Sequence, residues 1–168
     1  MRKVFLLASF LLVLQASSAL ANTPPAVEHQ PALCTVPDKV LSLCAAVSDD
    51  GTVAATRLYF RKADERYYSF VDMAFTGIDY CGTVPAPKEG KARAIEYYIQ
   101  AIDDSYEQTR TSTFLLPVEP EELCEFPPVE RDADRASSIR VFATSTKQGK
   151  KLDGDFLQSG VTFVPARK

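Results

Sequence analysis

The sequence predicts an all-β protein, an antiparallel sandwich of two packed sheets. Several short segments of this 168-residue chain alternate apolar and polar residues with a period of two. Turn-forming residues such as Asp-Asp-Gly separate these segments at short, regular intervals, and no helical block lies between them. Six short strands in such an arrangement are typical of a sandwich and not of a sheet covered by helices.

The first three strands lie between Val40 and Met73. "KVLSLCAAVSDDG" alternates around Leu41 and Leu43 and ends in an Asp-Asp-Gly turn, which indicates a half-buried strand. The segment "VAATRLYFRKADERYYSFVDM" supplies two strands joined through a polar, basic corner. The residues predicted to face inward on these two strands are Leu58, Phe60, Val71 and Met73.

The other three strands are "DYCGTVPAP", "AIEYYIQAIDD" and "RTSTFLLPV". In the second of them Ile95, Tyr97 and Ile99 are predicted to point inward, whereas Glu96 and Tyr98 point outward. Alanine is frequent in "KARAIEYYIQAI", so a helix is the alternative there. Because its β-branched and aromatic residues recur at every second position, the pattern favours a strand.

Residues 1–21 are predicted to be a secretory signal peptide. Arg2 and Lys3 precede the apolar run "VFLLASFLLVL", and small residues at Ala19 and Ala21 suit a signal peptidase. The apolar run is about half as long as the roughly 20 residues that a membrane-spanning helix needs. We therefore expect a protein without a membrane span that is periplasmic or secreted and soluble after cleavage.

The remaining chain is predicted to divide into four parts. They are an extended arm at 22–35, a sandwich at 36–118, an acidic, proline-rich linker at 119–134 and a basic appendage at 135–168. The appendage has two strand-like runs, which we expect to form a small hairpin-like unit. Since two strands alone are marginal in water, it must dock on the sandwich, pair with a partner or stay mobile.

Charge and cysteine content narrow the function classes. The chain carries a net charge of -3, with its basic excess confined to the appendage, so a nucleic-acid binder is not indicated.

Four cysteines in an exported chain indicate two disulfides. No C-x-x-C pair is present, and the single histidine, His29, lies in a proline-rich stretch. A zinc site is therefore not expected, and neither is another cofactor.

The strand sequences resemble immunoglobulin-like or fibronectin type III-like repeats of exported bacterial proteins. The resemblance lies in "AAVSDDGTVAATRLYFRKADERYYSFVDM", "YCGTVPAP" and "IEYYIQAIDD", and it covers roughly Val40 to Val118. It implies an immunoglobulin-like sandwich and says little about function, because such sandwiches have many roles. The chain departs from these repeats in having no tryptophan, four cysteines and an unmatched C-terminal part.

The resemblance also implies a pairing of the cysteines. It would place Cys44 and Cys81 opposite each other on neighbouring antiparallel strands, and Cys34 near Cys124 at one end of the sandwich. Four cysteines allow three connectivities, and the two others, among them the local pair Cys34 with Cys44, remain open at this point.

One outer sheet face is the first candidate binding site. With Leu58 and Phe60 pointing inward, tyrosine and arginine side chains of the neighbouring positions gather on the opposite face. Such a face could recognise a protein or a glycan, since tyrosine offers rigid apolar area with a polar tip. The alternatives are an aromatic ladder that only stabilises the sheet, or a face covered by the appendage. The predicted face comprises Arg57, Tyr59, Arg61, Tyr68, Phe70, Glu96 and Tyr98.

Two acidic turns are the second candidate. Asp49 and Asp50 lie in one turn, and Asp103 and Asp104 lie in another that the sandwich topology would bring to the same end. Their oxygens could bind calcium, although Asp residues in turns more often hydrogen-bond to the local backbone.

A binding role without catalysis is the resulting expectation. The chain has no G-x-S-x-G motif, no Gly-rich phosphate loop and no histidine within the predicted sandwich to act as a base. We expect a non-catalytic binding or assembly module whose partner is an envelope or extracellular protein. The alternative is a glycan-binding module, with or without calcium.

Overall fold

The computed structural model describes residues 22–125 and 138–167, which contain strands, turns and loops and no helix. No helix long and apolar enough to cross a membrane therefore occurs in these two ranges. The predicted signal peptide and residues 126–137, which include most of the predicted linker, lie outside the described residues. In chain order the strands are β1 (Ala26–Glu28), β2 (Leu41–Ser48), β3 (Val53–Lys62), β4 (Ser69–Asp72), β5 (Ala74–Phe75), β6 (Tyr80–Val84), β7 (Ala94–Asp103), β8 (Gln108–Arg110), β9 (Phe114–Pro117), β10 (Ile139–Ala143) and β11 (Val161–Val164).

The strands form two sheets, which confirms the predicted all-β class. The small sheet has the order β1-β2-β6-β5, and the large sheet has the order β11-β10-β4-β3-β7-β8, with β9 also paired to β7. Five of the six predicted strands correspond to β2, β3, β4, β6 and β7. The sixth is divided into β8 and β9 at Thr111, whose hydroxyl accepts a hydrogen bond from the Ile99 amide at 3.0 Å.

The two sheets share one apolar core. Leu58, Phe60, Ile95 and Ile99 on the inner face of the large sheet are completely buried, and Leu41, Leu43 and Val84 of the small sheet belong to the same cluster. Burying each such side chain contributes roughly 1.5–3 kcal/mol. At Gly82, on the inner face of β6, a Cβ atom would lie 3.0 Å from the Met73 side chain and 3.3 Å from that of Val71, so a larger residue would have to displace these core side chains.

Both disulfides join the pairs that the resemblance implied. Cys44 and Cys81 are directly opposite each other on β2 and β6, with Cα atoms 4.1 Å apart. Cys34 and Cys124 have Cα atoms 5.7 Å apart and are separated by 90 residues. Bridges of this kind stabilise a domain by roughly 2–4 kcal/mol, chiefly by restricting the unfolded chain.

The N-terminal arm is part of the fold. It forms β1, which pairs with the far half of β2, an addition to the predicted strands. Next to β1, His29 is partly buried between the sheets. Its Nδ1 lies 2.7 Å from the Cys44 carbonyl oxygen and its Nε2 lies 2.9 Å from the Tyr97 hydroxyl. Because a carbonyl only accepts, Nδ1 carries the proton, and Nε2 accepts the hydrogen bond from Tyr97.

The C-terminal appendage docks on the sandwich by extending the large sheet. β10 pairs antiparallel with β4, and β11 pairs parallel with β10. The expected hairpin-like arrangement is therefore wrong. Residues 144–160 are long enough to cross over and return the chain in the same direction, whereas a tight turn would have made the strands antiparallel.

The crossover at 144–160 attaches the appendage to both sheets. Phe156 is 1% exposed, and its ring meets Phe60 edge to face with centroids 5.3 Å apart. The amide of Leu157 donates to the carbonyl of Ala86 at 2.8 Å, on the segment that follows β6. Lys62, at the end of β3, forms an ion pair with Asp155 at 2.5 Å. The appendage is thus a part of the core and not a separate unit.

Replacing Phe156 with alanine tests this integration. We expect Phe156→Ala to lower the free energy of unfolding by about 3–5 kcal/mol, because it leaves a cavity beside Phe60. Urea denaturation followed by circular dichroism measures the change. Phe75→Ala is the matched control, since Phe75 is 59% exposed and its removal should have a small effect. Equal stability of the two variants would show that the appendage does not belong to the core.

The stability should also depend on pH through His29. Burial lowers the pKa of this imidazole, although its hydrogen bond to Cys44 opposes the shift. The unfolded chain therefore binds a proton more readily, near the ordinary pKa of about 6.5. We expect the contribution of neutral His29 to the free energy of unfolding to be complete above that pH and to decline as the pH falls through it. Urea midpoints of the wild type and of His29→Gln, compared from mildly alkaline to mildly acidic buffer, measure the effect. A parallel decline in both proteins would assign the pH dependence to other groups.

Candidate functional site

The candidate site is the outer face of the large sheet, and the hairpin of β3 and β4 determines its position. Leu58 and Phe60 point into the core, so the residues that alternate with them on β3 point outward. The register places Tyr59 between Phe70 of β4 and Tyr98 of β7. All seven residues of the predicted face lie on this side of the sheet or at the hairpin connection beside it.

A row of aromatic rings crosses four neighbouring strands of this face. Tyr59 and Tyr98 are stacked with centroids 4.7 Å apart and an interplanar angle of 8°. Phe70 lies 5.2 Å from Tyr59 on the other side, and Phe142 of β10 stacks on Phe70 at 4.9 Å. Tyr68 meets Tyr98 edge to face at 5.1 Å. We refer to these five residues as the aromatic row.

Arginine side chains lie over the aromatic row. The guanidinium carbon of Arg57 is 4.9 Å from the Phe70 ring centre, that of Arg61 is 4.3 Å from Tyr68, and that of Arg110 is 4.8 Å from Tyr98. These distances are within the range of cation–π attraction, which contributes about 0.5–1 kcal/mol at exposed sites. The rings and arginines therefore fix one another in place.

Arg61 and Glu96 form the most constrained polar pair of the face. Two nitrogens of Arg61 donate to one carboxylate oxygen of Glu96, at 2.5 and 2.8 Å, and the Tyr68 hydroxyl donates to the same oxygen at 3.3 Å. A third Arg61 nitrogen donates to the Glu65 carbonyl at 2.7 Å. Both side chains are less than one quarter exposed, so this pair is held in one orientation and is less screened than a surface ion pair.

The environment of Tyr98 also affects its ionisation. Partial burial, together with the neighbouring Tyr59, raises the pKa of the Tyr98 phenol, although Arg110 opposes the shift. Tyr98 is therefore a neutral hydroxyl at physiological pH, available as a hydrogen-bond donor or acceptor at the centre of the face.

The structure adds three residues that the sequence did not identify. Phe142 joins the face because the appendage docks at β4, an arrangement that the local sequence does not specify. Arg110 faces Gln100 across β7 and β8, and Leu115 faces Glu96 across β7 and β9. Their own segment, "RTSTFLLPV", alternates weakly, and only its pairing with β7 reveals that these side chains share the face. Leu115 is 63% exposed.

The two acidic turns predicted to bind calcium use several of their carboxylate oxygens in hydrogen bonds. The two turns do lie at the same end of the sandwich, because the Asp104 amide donates to the Thr52 carbonyl at 3.0 Å. The carboxylate of Asp103 is completely buried and accepts from the amides of Ser105 and Glu107 and from the side chain of Asn22.

Two further predicted ligands also accept hydrogen bonds. Asp49 accepts from the Gly51 amide, and Asp50 accepts from Thr23. Among the described residues, three acidic side chains come within metal-ligating distance at Glu65, Asp153 and Asp155 instead, and the Lys62 ammonium pairs with two of these. Calcium binding by Asp49, Asp50, Asp103 and Asp104 therefore stays a prediction, with backbone amides already bonded to carboxylate oxygens of Asp49, Asp50 and Asp103.

Comparisons with known proteins assign this chain to no family. It matches no family model and no curated protein at a significant level. Among solved structures it is similar to an engineered protein whose crystal structure was determined at 1.98 Å, with a TM-score of 0.43 and 12% sequence identity. The similarity covers 56% of this chain and 20% of the other, so the chain spans about one fifth of the length of that protein.

The stacked pair at the centre of the face should couple energetically. In a double-mutant cycle of Tyr59→Ala and Tyr98→Ala, we expect a coupling of about 0.5–1.5 kcal/mol in the free energy of unfolding, because the rings stack. Urea denaturation of the four proteins measures it. The matched control pairs Tyr59→Ala with Tyr106→Ala, since Tyr106 is 87% exposed and should act additively. Additive effects in the first cycle would show that the two rings do not stabilise each other.

Proposed function

We propose that this protein is an exported, non-catalytic binding or assembly module that docks an envelope or extracellular protein on the outer face of its large sheet. The observation that supports the proposal is the aromatic row with its arginines. It crosses β10, β4, β3 and β7 without interruption. The appendage extends this face at the edge of the sheet and does not lie over it.

The composition of the face suits a protein partner. Tyrosine and arginine dominate the energetically important positions of protein interfaces, because each combines apolar area with directed polar contacts. Rings already fixed by stacking lose little conformational entropy on binding. The exposed Leu115 adds an apolar contact beside Glu96.

The charge of the face indicates the chemistry of the partner. Arg57, Arg61 and Arg110 lie on it. Arg140 is two residues from Phe142 on β10, so its side chain points to the same face. The acidic residues of the face are Asp72 and Glu96, which oppose Arg57 and Arg61 in the register. The face is therefore more basic than the acidic chain as a whole, and a partner surface with carboxylates around an apolar centre complements it.

Ring orientation favours a protein over a glycan. A sugar ring stacks on the open face of an aromatic side chain. In the aromatic row, Tyr59 and Tyr98 cover each other's faces, and so do Phe70 and Phe142. The edges and hydroxyl groups that remain suit a protein surface better than a sugar ring.

The strand order supports an immunoglobulin-like assignment within this proposal. In such sandwiches strands A, B, E and D form one sheet, and C, F and G form the other. Here β1, β2, β6 and β5 are neighbours in that order, and β3, β7 and β9 form the centre of the second sheet. The appendage is then an addition at the edge beyond β4, where β10 pairs.

Two disulfides support export. Cys34–Cys124 and Cys44–Cys81 use all four cysteines, and such bridges persist in oxidising compartments outside the cytosol. The predicted signal peptide at residues 1–21 agrees with this location. Because two bridges also reduce the entropy of the unfolded chain, the module would tolerate conditions outside the cell.

Introducing a negative charge at the exposed end of the face tests the proposal. Affinity capture from an envelope extract of the producing organism, with quantification by mass spectrometry, compares the wild type with Leu115→Glu. We expect the variant to lose at least about tenfold in the recovered partner, because a carboxylate would face the acidic rim of that partner.

Ile78→Glu is the matched control, since Ile78 is 85% exposed and lies in the turn between β5 and β6, away from this face. Melting curves of both variants should match that of the wild type. Retention of the same partner by Leu115→Glu, or its equal loss in both variants, would contradict the proposal.

A further inference from the structure

The N-terminal arm begins at an acidic end of the sandwich. There the β2–β3 turn and the β7–β8 turn lie side by side, joined by the hydrogen bond from the Asp104 amide to the Thr52 carbonyl. The start of the arm and the two turns, residues 22–27, 48–54 and 101–109, contain no lysine, arginine or histidine. We refer to their five acidic residues as the acidic end, namely Asp49, Asp50, Asp103, Asp104 and Glu107.

The negative charge of the acidic end has no cation against it. Within residues 22–125 and 138–167, no ion pair involves any of these five carboxylates. Two of them approach each other closely, since a Cβ atom at Gly51 would lie 3.3 Å from an Asp49 oxygen and 3.5 Å from an Asp104 oxygen. The other oxygen of Asp49 is buried and accepts no hydrogen bond from the described residues. A positive charge placed here would therefore stabilise the fold.

The first two described residues of the arm are bonded to the acidic end. The side-chain amide of Asn22 donates to Asp103 at 2.6 Å. The backbone amide and the hydroxyl of Thr23 donate to Asp50 at 3.3 and 3.0 Å. Covalent geometry then limits the distance of the Asn22 backbone nitrogen from both carboxylates to about 8 Å.

Removal of the predicted signal peptide would change the charge of this nitrogen. Cleavage after Ala21 makes Asn22 the first residue of the mature chain. Hydrolysis of the Ala21–Asn22 peptide bond consumes one water, leaves a carboxylate on Ala21 and converts the neutral amide of Asn22 into an amine. An α-amine has an ordinary pKa of about 7.7–8.0, so at neutral pH it takes up a proton and becomes an ammonium.

We propose that the α-ammonium of Asn22 is the counter-ion of the acidic end, so that removal of the signal peptide fastens the N-terminal arm to the sandwich. The Ala21–Asn22 bond is then a processing site with a structural consequence. In the precursor, the neutral amide at this position would leave the acidic end uncompensated. The inference rests on the export part of the proposed function and not on the outer face of the large sheet.

Fastening the arm protects the edge of the small sheet. β1 pairs with β2 over only three residues, Ala26 to Glu28. Asn22 and Thr23 precede it and hold its free end. Loss of this hold would favour local opening of β1, which would present β2 as an unpaired edge. The processed chain would therefore be the form with the better protected sheet.

Urea denaturation of residues 22–168 with a free and with an acetylated N-terminus tests the proposal. EDTA is present, because some of the same carboxylates are the predicted calcium ligands. At pH 7 we expect the unfolding equilibrium constant of the free chain to be at least about threefold lower. A pKa of the ammonium raised by about half a unit in the folded state gives this factor.

The difference between the two chains should depend on pH in one direction. Neighbouring carboxylates favour the charged form and raise the pKa of the α-ammonium in the folded chain. Its contribution is therefore complete below the ordinary value of about 8 and is lost as the pH rises through the raised value. We expect the free and the acetylated chain to converge by about pH 10. His29, whose pKa is lowered by burial, is neutral throughout this range.

Two matched variants locate the contact. Asp50→Asn removes one charge of the acidic end and keeps an oxygen that accepts from Thr23, so the difference at pH 7 should fall below about twofold. Glu89→Gln removes the same charge from an exposed position in the connection before β7, at the opposite end of that strand from Asp103. This control should leave the difference unchanged. Equal behaviour of the two variants would contradict the proposal, as would equal stability of the free and acetylated chains or a difference that persists to pH 10.

Mass spectrometry of the protein made by the producing organism checks the processing site. A chain that begins at Asn22 supports the proposal. An exported chain with another first residue overturns the inference and leaves export intact, whereas an unprocessed cytosolic chain contradicts both. Neither result bears on partner capture by the outer face, so the docking proposal is tested separately.

Discussion

The register between β3 and β7 is the constraint on which the rest of this structure depends. It places Leu58 opposite Ile99 in the core and, one residue further, Tyr59 opposite Tyr98 on the outer face. Because side chains alternate between the two faces, a slip by one residue would bury the tyrosines and expose the aliphatic side chains. Burial of each core residue contributes roughly 1.5–3 kcal/mol, against about 0.5–1.5 kcal/mol for a stacked aromatic pair. The core therefore holds the aromatic row in place, and the row adds to the stability of the same register.

The appendage holds the β3–β4 hairpin from both sides. Phe142 stacks on Phe70 on the outer face, whereas Phe156 packs against Phe60 on the inner face. Without β10, β4 would present an unpaired edge, which in natural proteins invites aggregation. The edge instead passes to β11, a four-residue strand followed by Pro165, and proline limits further pairing there. Docking thus completes the core, extends the outer face of the large sheet and moves the open edge to a short strand.

The alternation of apolar and polar residues predicts those strands that have one face in the core. It identifies the inward residues of β2, β3, β4, β6 and β7 and, from them, the outward residues of the predicted face. It does not identify β1, because Ala26–Glu28 has no pattern of its own and is a strand only through pairing with β2. Phe156 and Leu152 lie in a crossover without periodicity, so their burial depends on contacts with distant residues such as Phe60. In the acidic turns the proximity of the two loops follows from the topology, whereas the amides that donate to Asp49 and Asp103 are a matter of local geometry that the sequence pattern does not reveal.

The end of β3 connects the outer face of the large sheet with the crossover at 144–160. Arg61 and Lys62 are consecutive and therefore point to opposite sides of the sheet. Arg61 reaches Glu96 on the outer face, and Lys62 reaches Asp155 of the crossover. The hydrogen bond to Asp155 is the main cause that raises the pKa of the Lys62 ammonium, so this link remains charged at neutral pH. Two adjacent residues of β3 therefore anchor the crossover on the inner side of the sheet and Glu96 on its outer side.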